Sequence, residues 1–191
     1  MSEQFNTSET VESYIYKCHR VHHDLGWWEG QEDRDLPCKL LLMYTEVTEA
    51  ADGIDGGDIY DDKLTSVLME EAELADISIR ALDYLGRRGF NADGYKTIGA
   101  PEFEFDQPGV DQRRSNLLTI CQAISRAVEG LRRGNEREEQ LGLLRVVAHC
   151  LAHAKARGFF LWTTVDAKLK FNKQRADHKL ENRAKKGGKK F

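Results

Sequence analysis

The sequence predicts an all-α protein whose helices pack as a bundle, and three observations support this. Apolar residues recur three and four positions apart along most of the chain, which is the period of one face of an α-helix. The 191 residues include only three prolines, the strongest helix breakers. A content of 40% hydrophobic and 31% charged residues is typical of a folded, water-soluble domain rather than a disordered chain.

The first half of the chain predicts three helices. The first has its apolar stripe from Val11 onward, with the Thr-Ser pair at 7–8 as its cap, and the second begins near Pro37. The third follows Asp61 or Asp62, one of which we interpret as its cap, and extends to Gly86 and Gly89. Its stripe predicts the longest element of the chain.

The second half returns to the helical period after a connection over residues 91–110, which has no steady pattern and is rich in glycine and proline. Apolar residues at 117–131 predict a fourth helix, and a fifth ends at Gly158. A sixth helix is expected to begin at the Thr pair 163–164, before the composition turns basic.

Four carboxylates have spacings that predict a shared groove. Glu46 and Glu49 are three residues apart in the second helix, and Glu73 and Asp76 are three apart in the third. Positions three apart project from one helical face on successive turns. Antiparallel packing of the two helices through residues 55–61 therefore brings both pairs together.

Converging carboxylates are unfavourable unless they are protonated, paired or bound to a cation. Oxygen ligands favour Mg²⁺, with Mn²⁺ as a second choice, over Zn²⁺. Mg²⁺ usually takes its remaining ligands from water and from the phosphates of a substrate. The spacing thus predicts a Mg²⁺ site, and the alternative is that the acids form the solvated faces of two amphipathic helices.

The sixth helix adds a face that suits phosphate. Lys168, Asn172 and Arg175 recur at i, i+4 and i+7, so an ammonium, an amide and a guanidinium share one helical face. Taken alone, these three residues also fit a solvated basic face near a chain end. The acidic groove and the basic face together favour a site for a phosphorylated substrate and its metal ion.

These elements predict a single domain over residues 1–191, a length at which a chain buries a substantial core. We divide it into a metal-binding half (1–90), the connection (91–110), a degenerate second half (111–175) and a basic tail (176–191). The second half echoes the first, because LLMYTEVTEAADGI aligns with LTICQAISRAVEGL and RRGF recurs as RGF. This match predicts a duplicated helical pair that kept its carboxylates in the first copy only.

With these residues assembled, the chain resembles the all-α nucleoside triphosphate pyrophosphohydrolases of the MazG and dimeric-dUTPase superfamily. The family signature, ExxE followed by ExxD, reads Glu46-Val-Thr-Glu49 and Glu73-Leu-Ala-Asp76 here. GWWEGQEDRDLPCKLLLMYTEVTEA is similar to phage and bacterial MazG-like proteins, and ADISIRALDYLG is similar to the MazG block around ExxD. KLKFNKQRADHKLENRAKKGGKKF resembles the C-terminal KxxxN segment of the superfamily. The resemblance covers residues 11–90 and 162–191.

The resemblance implies a helical bundle with a four-helix core, in which the four carboxylates hold Mg²⁺ around a triphosphate. It implies cleavage between the α- and β-phosphates, which yields a nucleoside monophosphate and pyrophosphate. Glu46 or Glu49 is then the expected general base. Lys168, Asn172 and Arg175 match the family segment that contacts the phosphates and the nucleotide.

Base recognition is predicted where the first helix ends. Trp27 and Trp28 can stack on a nucleobase, and His22 or His23 can hydrogen-bond it. The alternative for the tryptophans is that at least one belongs to the core, and we favour one in the core and one at the site. Arg80, one turn after Asp76, is expected to reach a phosphate or to pair with a carboxylate. The uracil-reading segment of dimeric dUTPases is not evident near the N-terminus, so we expect hydrolysis of (d)NTPs rather than of dUTP alone.

Three alternatives stay open: a dUTPase-type enzyme, a hydrolase of alarmones or modified nucleotides, and a non-catalytic helical module that binds nucleotides. Four cysteines without CxxC spacing, and no signal peptide or long apolar run near Met1, predict a cytoplasmic protein without membrane contact. We expect a homo-oligomer, namely a dimer, and no nucleic-acid partner despite the basic tail.

Overall fold

The computed structural model describes residues 8–30, 35–98, 107–178 and 180–183, and it confirms the prediction of an all-α bundle. A 3-10 turn at Ala176–His178 precedes the last helix. No helix in the described ranges is long and apolar enough to span a membrane. The α-helices are α1 (Ser8–Asp24), α2 (Leu36–Asp55), α3 (Met69–Arg87), α4 (Tyr95–Ile98), α5 (Val110–Arg132), α6 (Glu136–Arg157), α7 (Leu161–Gln174) and α8 (Leu180–Arg183).

Four long helices form the core as two hairpins, α2 with α3 and α5 with α6. The first hairpin is antiparallel, because Gly53 lies against Met69 and Glu70 near the turn whereas Glu46 contacts Arg80 farther along. The hairpins pack on each other through α2 against α5 and α3 against α6, and α1 and α7 also pack on α3. Helix α3 is therefore surrounded by other helices, and it supplies much of the core.

The glycines at the two hairpin turns make matching contacts. Gly53 packs against the start of α3, and its counterpart in the sequence match, Gly130, packs against the start of α6. A Cβ added at Gly130 would lie 2.3 Å from the backbone nitrogen of Glu139, so this approach requires glycine. The register of the turns in the structure is the register of the aligned segments.

Reciprocal contacts also join α3 and α6. The carboxylate of Glu70 on α3 is hydrogen-bonded to two side chains of α6. His153 Nε2 lies 2.7 Å from Glu70 Oε1, and Arg157 Nε donates to Glu70 Oε2 at 3.1 Å. In the opposite direction, Glu139 of α6 accepts hydrogen bonds from the side chains of Tyr84, at 2.8 Å, and Arg88, at 3.0 Å. The two sets of contacts are related by an offset of 69 residues, which pairs Glu70 with Glu139, Tyr84 with His153 and Arg88 with Arg157. The same offset relates RRGF to RGF.

The predicted start of the third helix was wrong. Helix α3 begins at Met69, and Asp61 instead closes a turn by accepting the backbone N–H groups of Lys63 and Leu64, at 3.0 Å and 2.5 Å. The apolar residues of this segment keep a helical spacing, but the turn and a β-bridge between Tyr60 and Leu68 hold it outside the helix. The connection between α2 and α3 is thus longer than predicted.

The other boundaries hold in part. Helix α3 has 19 residues and is not the longest element, because α5 has 23 and α6 has 22. Helix α6 ends as predicted at Gly158, whose φ of 79° favours glycine. Helix α7 begins at Leu161, ahead of the predicted threonines, and α4 lies inside the predicted connection 91–110. The Thr7 part of the predicted first cap, residues 99–106 of the connection and residues 184–191 of the tail lie outside the described residues.

Candidate functional site

Three carboxylates from α2 and α3 meet at one point of the first hairpin. One oxygen each from Glu46, Glu49 and Glu73 lies within 4.8 Å of the others. Glu46 and Glu73 are 6% and 2% exposed, whereas Glu49 is exposed. The predicted convergence of the ExxE pair with the ExxD segment is therefore present in the structure.

Burial and mutual repulsion favour the protonated form of these acids. Burial and the nearby Asp76 raise the pKa of Glu73 to about 9. Burial raises the pKa of Asp76 too, an effect that Lys168 opposes and Glu46 reinforces. Burial and the Glu46 charge raise the pKa of Glu49. The protein thus holds the acids at a cost that a bound cation would relieve.

Lys168 of α7 lies among the carboxylates. Its Nζ is 3.0 Å from Asp76 Oδ2, 3.6 Å from Asp61 Oδ2 and 3.8 Å from Glu73 Oε1, and the side chain is 2% exposed. Burial acts to lower the pKa of Lys168, but Asp76 and Glu73 outweigh that effect and raise it. Lys168 was predicted to contact phosphate, and the structure places its ammonium against the acids beneath the pocket instead.

Arg80 was predicted either to reach a phosphate or to pair with a carboxylate, and in the structure it pairs with the carboxylate of Glu46. Its Nε donates to Glu46 Oε1 at 2.8 Å, and Nη2 of the same guanidinium contacts the same oxygen. The Arg80 side chain is 32% exposed and also lines the pocket described below, so it can face a substrate while it holds Glu46. Glu46 is thereby fixed in place, whereas Glu49 forms no such hydrogen bond with an arginine of the described ranges.

The residues present fit a divalent cation. Oε2 of Glu73 is buried and has no hydrogen-bond partner among the described residues. A buried carboxylate oxygen without a partner is costly, and a proton or a cation satisfies it. The set of ligand atoms at this point is made of carboxylate oxygens, which suit Mg²⁺ and Mn²⁺.

A pocket of about 430 Å³ opens over the carboxylates, within the size range of small-molecule sites. Its wall unites most of the predicted site residues, although they come from α1, α2, α3 and the region of α7. Of the predicted residues, Glu73 and Lys168 are the two that lie behind the wall. The predicted residues that line it are Glu46, Glu49, Asp76, Arg80, His22, Trp27, Trp28, Asn172 and Arg175.

Asp83 organises the aromatic end of the pocket. It accepts a hydrogen bond from Trp28 Nε1 at 2.8 Å, and the Nδ1 atoms of His22 and His19 lie 2.7 Å and 3.0 Å from its oxygens. Burial acts to raise the pKa of Asp83, but the histidines and Trp28 outweigh that effect and lower it. Asp83 is therefore a carboxylate that fixes the rings of His22 and Trp28 at the wall.

The two tryptophans occupy different environments. Trp27 is 7% exposed and meets His178 edge to face, with 5.1 Å between the ring centroids. The Trp28 ring has Lys39 Nζ 4.7 Å and the Arg87 guanidinium 5.5 Å from its centroid. Both rings reach the pocket wall, and Trp27 is the more buried of the two.

In the region of α7, Asn172 and Arg175 follow Lys168 with the predicted spacing. Asn172 is 9% exposed, and the Arg175 side chain is 21% exposed and pairs with Asp177 through Nε, at 2.9 Å, and Nη2, at 2.6 Å. Both side chains line the pocket. The predicted face therefore divides, with its lysine inside the acidic cluster and its amide and guanidinium toward the pocket.

Glu70 does not join the acids, although it lies one turn before Glu73. Its carboxylate is bound by Arg113 Nε at 2.9 Å and, as above, by two side chains of α6. Burial acts to raise the pKa of Glu70, but hydrogen bonds from His153 and Arg113 lower it to about 2. Glu70 is thus a structural ion pair, separate from the site.

Sequence reasoning missed several residues of the site. Asp83 had a usable signal, because it lies seven residues after Asp76 and so on the same face of α3. Asp61 was interpreted as a cap, and Lys39 and Lys63 of the wall had no signal beyond their charge. These residues reach the pocket through the irregular segment before α3 or through helix packing, which periodicity does not reveal.

Comparison of the chain with protein-family models, with curated proteins and with solved structures returned no match.

Proposed function

We propose that the protein is a Mg²⁺-dependent pyrophosphohydrolase that cleaves (d)NTPs to (d)NMPs and pyrophosphate. The observation that carries this proposal is the cluster of Glu46, Glu49 and Glu73, which each place one carboxylate oxygen within 4.8 Å of the others. The pocket at this cluster is also lined by cationic side chains and aromatic rings. A triphosphate needs positive charge along its phosphates and an apolar or aromatic surface for its base. The pocket offers both.

The carboxylates would hold Mg²⁺, or Mn²⁺, which supplies positive charge to the phosphates and to the leaving pyrophosphate. Arg80, Arg175 and Lys63 line the pocket and add cationic side chains for the phosphate oxygens. Trp27, Trp28 and His22 provide the surface on which the base can stack and be hydrogen-bonded. We therefore assign the side chains of Arg80, Arg175 and Lys63 to the phosphates and those of Trp27, Trp28 and His22 to the base.

We assign the general base to Glu49. Arg80 holds Glu46, whereas Glu49 keeps much of its surface in contact with solvent at the wall. Partial desolvation and the Glu46 charge raise the pKa of Glu49. Glu49 takes a proton from the attacking water, whose oxygen forms a bond to the α-phosphorus. The bond from the α-phosphorus to the oxygen that bridges to the β-phosphate breaks, and pyrophosphate leaves with the electron pair of that bond.

A second candidate is a helical module that binds nucleotides without cleaving them. The position of the Lys168 ammonium favours it, because this group already gives the buried acids a cation, at 3.0 Å from Asp76 and 3.8 Å from Glu73. In that case Lys168 takes the charge-compensating role of the metal ion. The two candidates differ in whether Mg²⁺ is required.

The test is product analysis over a panel of dNTPs, NTPs, dUTP, methylated and oxidised analogues, and guanosine tetraphosphate. Each substrate is incubated with Mg²⁺ or with chelator in ¹⁸O-labelled water. We expect pyrophosphate release with Mg²⁺ only, and ¹⁸O in the monophosphate, because water attacks the α-phosphorus. Label in pyrophosphate would contradict the assignment of the reacting atom.

The same panel separates the two candidates. If the folded protein binds a nucleotide in calorimetry but releases no product with Mg²⁺ or Mn²⁺, the binding module is correct. Release of orthophosphate instead of pyrophosphate would show that a different phosphate bond is cleaved.

A further inference from the structure

The second hairpin has a surface that corresponds to the carboxylate site of the first. The reciprocal contacts of Glu70 and Glu139 define the register of α3 against α6, and Gly53 and Gly130 define that of α2 against α5. In this register Glu46 corresponds to Ala123, an exchange of an acid for a small residue. The same two helix registers identify the counterparts of Glu49, Glu73, Asp76 and Arg80 in the second hairpin.

The corresponding residues reverse the charge of the site. Glu49 corresponds to Arg126, which replaces an exposed acid with an exposed base. On α6, glycine, arginine and histidine stand at the positions of two acids and an arginine. The pairs are Glu73 with Gly142, Asp76 with Arg145, and Arg80 with His149.

Close packing brings these basic residues together. Ala127 lies against Gly142, since a Cβ added at Gly142 would be 2.5 Å from the Ala127 backbone nitrogen. Arg126 is adjacent to this contact on α5, and Arg145 follows it by one turn on α6. Their counterparts Glu49, Asp76 and Arg80 line a single pocket in the first hairpin. Burial, together with the Arg126 and Arg145 charges, lowers the pKa of His149.

The charges of Arg126 and Arg145 are not compensated within the described part of the chain. Neither Arg126 nor Arg145 makes a hydrogen bond or a salt bridge to a described residue. By contrast, Arg132 at the end of α5 and Arg133, the residue that follows it, both pair with Glu129. Two neighbouring guanidinium groups without a carboxylate favour an anion, and guanidinium binds phosphate oxygens in a two-pronged geometry.

We propose that Arg126, Arg145 and His149 form a second site, which binds a phosphate or diphosphate group. The close contact of Ala127 with Gly142 leaves no acidic groove there, so this hairpin has lost the cation site and presents a cationic surface in its place. Its ligand is an anion, either free or carried by a nucleotide. This proposal does not depend on the proposed hydrolysis.

The test is a histidine-selective NMR titration of the full chain in chelator. Inorganic phosphate, pyrophosphate and AMP are added separately, and the His149 ring signal, assigned with His149→Gln, is followed together with that of His22 in the pocket. We expect the His149 signal to move saturably with pyrophosphate. The responses to phosphate and AMP show whether a free or an esterified group is preferred.

The variant Arg126→Gln/Arg145→Gln should weaken pyrophosphate binding, as reported by the His149 signal, about 100-fold or more, because it removes two charge-assisted hydrogen bonds. The matched control, Arg132→Gln/Arg133→Gln, changes two arginines at the C-terminal end of α5 that already pair with Glu129, and it should titrate like the wild type. A shift of His22 alone, or equal His149 shifts in both double variants, would overturn the proposal.

Discussion

At the scale of single residues, the two glutamates of ExxE have different environments. Glu46 is buried and fixed by Arg80, whereas Glu49 is exposed at the pocket with a raised pKa. The sequence alone left both as candidates for the base. The difference arises because Arg80 reaches Glu46 across the α2–α3 interface, and that contact depends on how the two helices pack.

Glu49→Gln should lower kcat by about 10²- to 10⁴-fold, since glutamine keeps the shape of the side chain but cannot accept the proton of water. The measurement is the rate of pyrophosphate release with saturating Mg²⁺. Asp52→Asn, an exposed acid one turn farther along α2 that does not line the pocket, is the control and should keep its rate. Unchanged turnover in Glu49→Gln would remove Glu49 from the mechanism.

At the scale of the element, α3 uses acids on two of its faces for different purposes. Glu73 and Asp76 face the site beside α2, whereas Glu70 turns toward α5 and α6 and is held by Arg113 and His153. The acids have similar spacing in the sequence, so periodicity cannot separate a site residue from a structural ion pair. The partners on the neighbouring helices decide.

Glu70→Gln tests the structural role of this ion pair. It should destabilise the protein by about 3 kcal/mol at neutral pH, because the buried Arg113 would keep only the half-exposed Asp58 as a counterion. The measurement is the free energy of unfolding in urea. Glu138→Gln, an exposed acid on α6, is the control and should change stability little.

The same variant should change the pH dependence of stability. The folded-state pKa of Glu70 is about 2, below its ordinary value of 4.5, so its contribution is present above pH 4.5 and is lost as the pH falls toward 2. Between those limits the wild type should lose about 3 kcal/mol that Glu70→Gln does not lose. Parallel acid profiles for the two proteins would contradict the assignment.

At the scale of the whole molecule, packing of the bundle brings residues from distant parts of the chain together in the pocket wall. Helices α1, α2 and α3 and the region of α7 all supply wall residues, and Lys168 of α7 closes the acidic cluster from behind. A ligand that binds this cluster therefore stabilises contacts among several elements. Binding to the folded state alone raises global stability.

Mg²⁺ or Mn²⁺ should therefore raise the unfolding temperature of the wild type, with about 2.7 kcal/mol of added stability when the free ion is at 100 times its Kd. Glu73→Gln keeps the side-chain shape but removes a ligand charge, so the increase should be lost or much reduced. Thermal unfolding with chelator and with each ion provides the comparison, with Glu138→Gln as the control. An equal increase in wild type and Glu73→Gln would place the ion elsewhere.

The sequence by itself determined the helical class, the positions of most helices and the identity of the acids. These features are local, because they depend on the spacing of apolar and acidic residues along one helix. The alignment of the two halves also predicted the register in which Gly53 and Gly130 make their matching contacts.

Only the tertiary structure decided the partner of each charged group. It placed Lys168 among the acids, gave Arg80 to Glu46, and brought Asp61 and Asp83 to the site, while it turned Glu70 away. These outcomes depend on contacts between residues far apart in the chain. Helix packing determines such contacts, and the period of any single helix does not encode them.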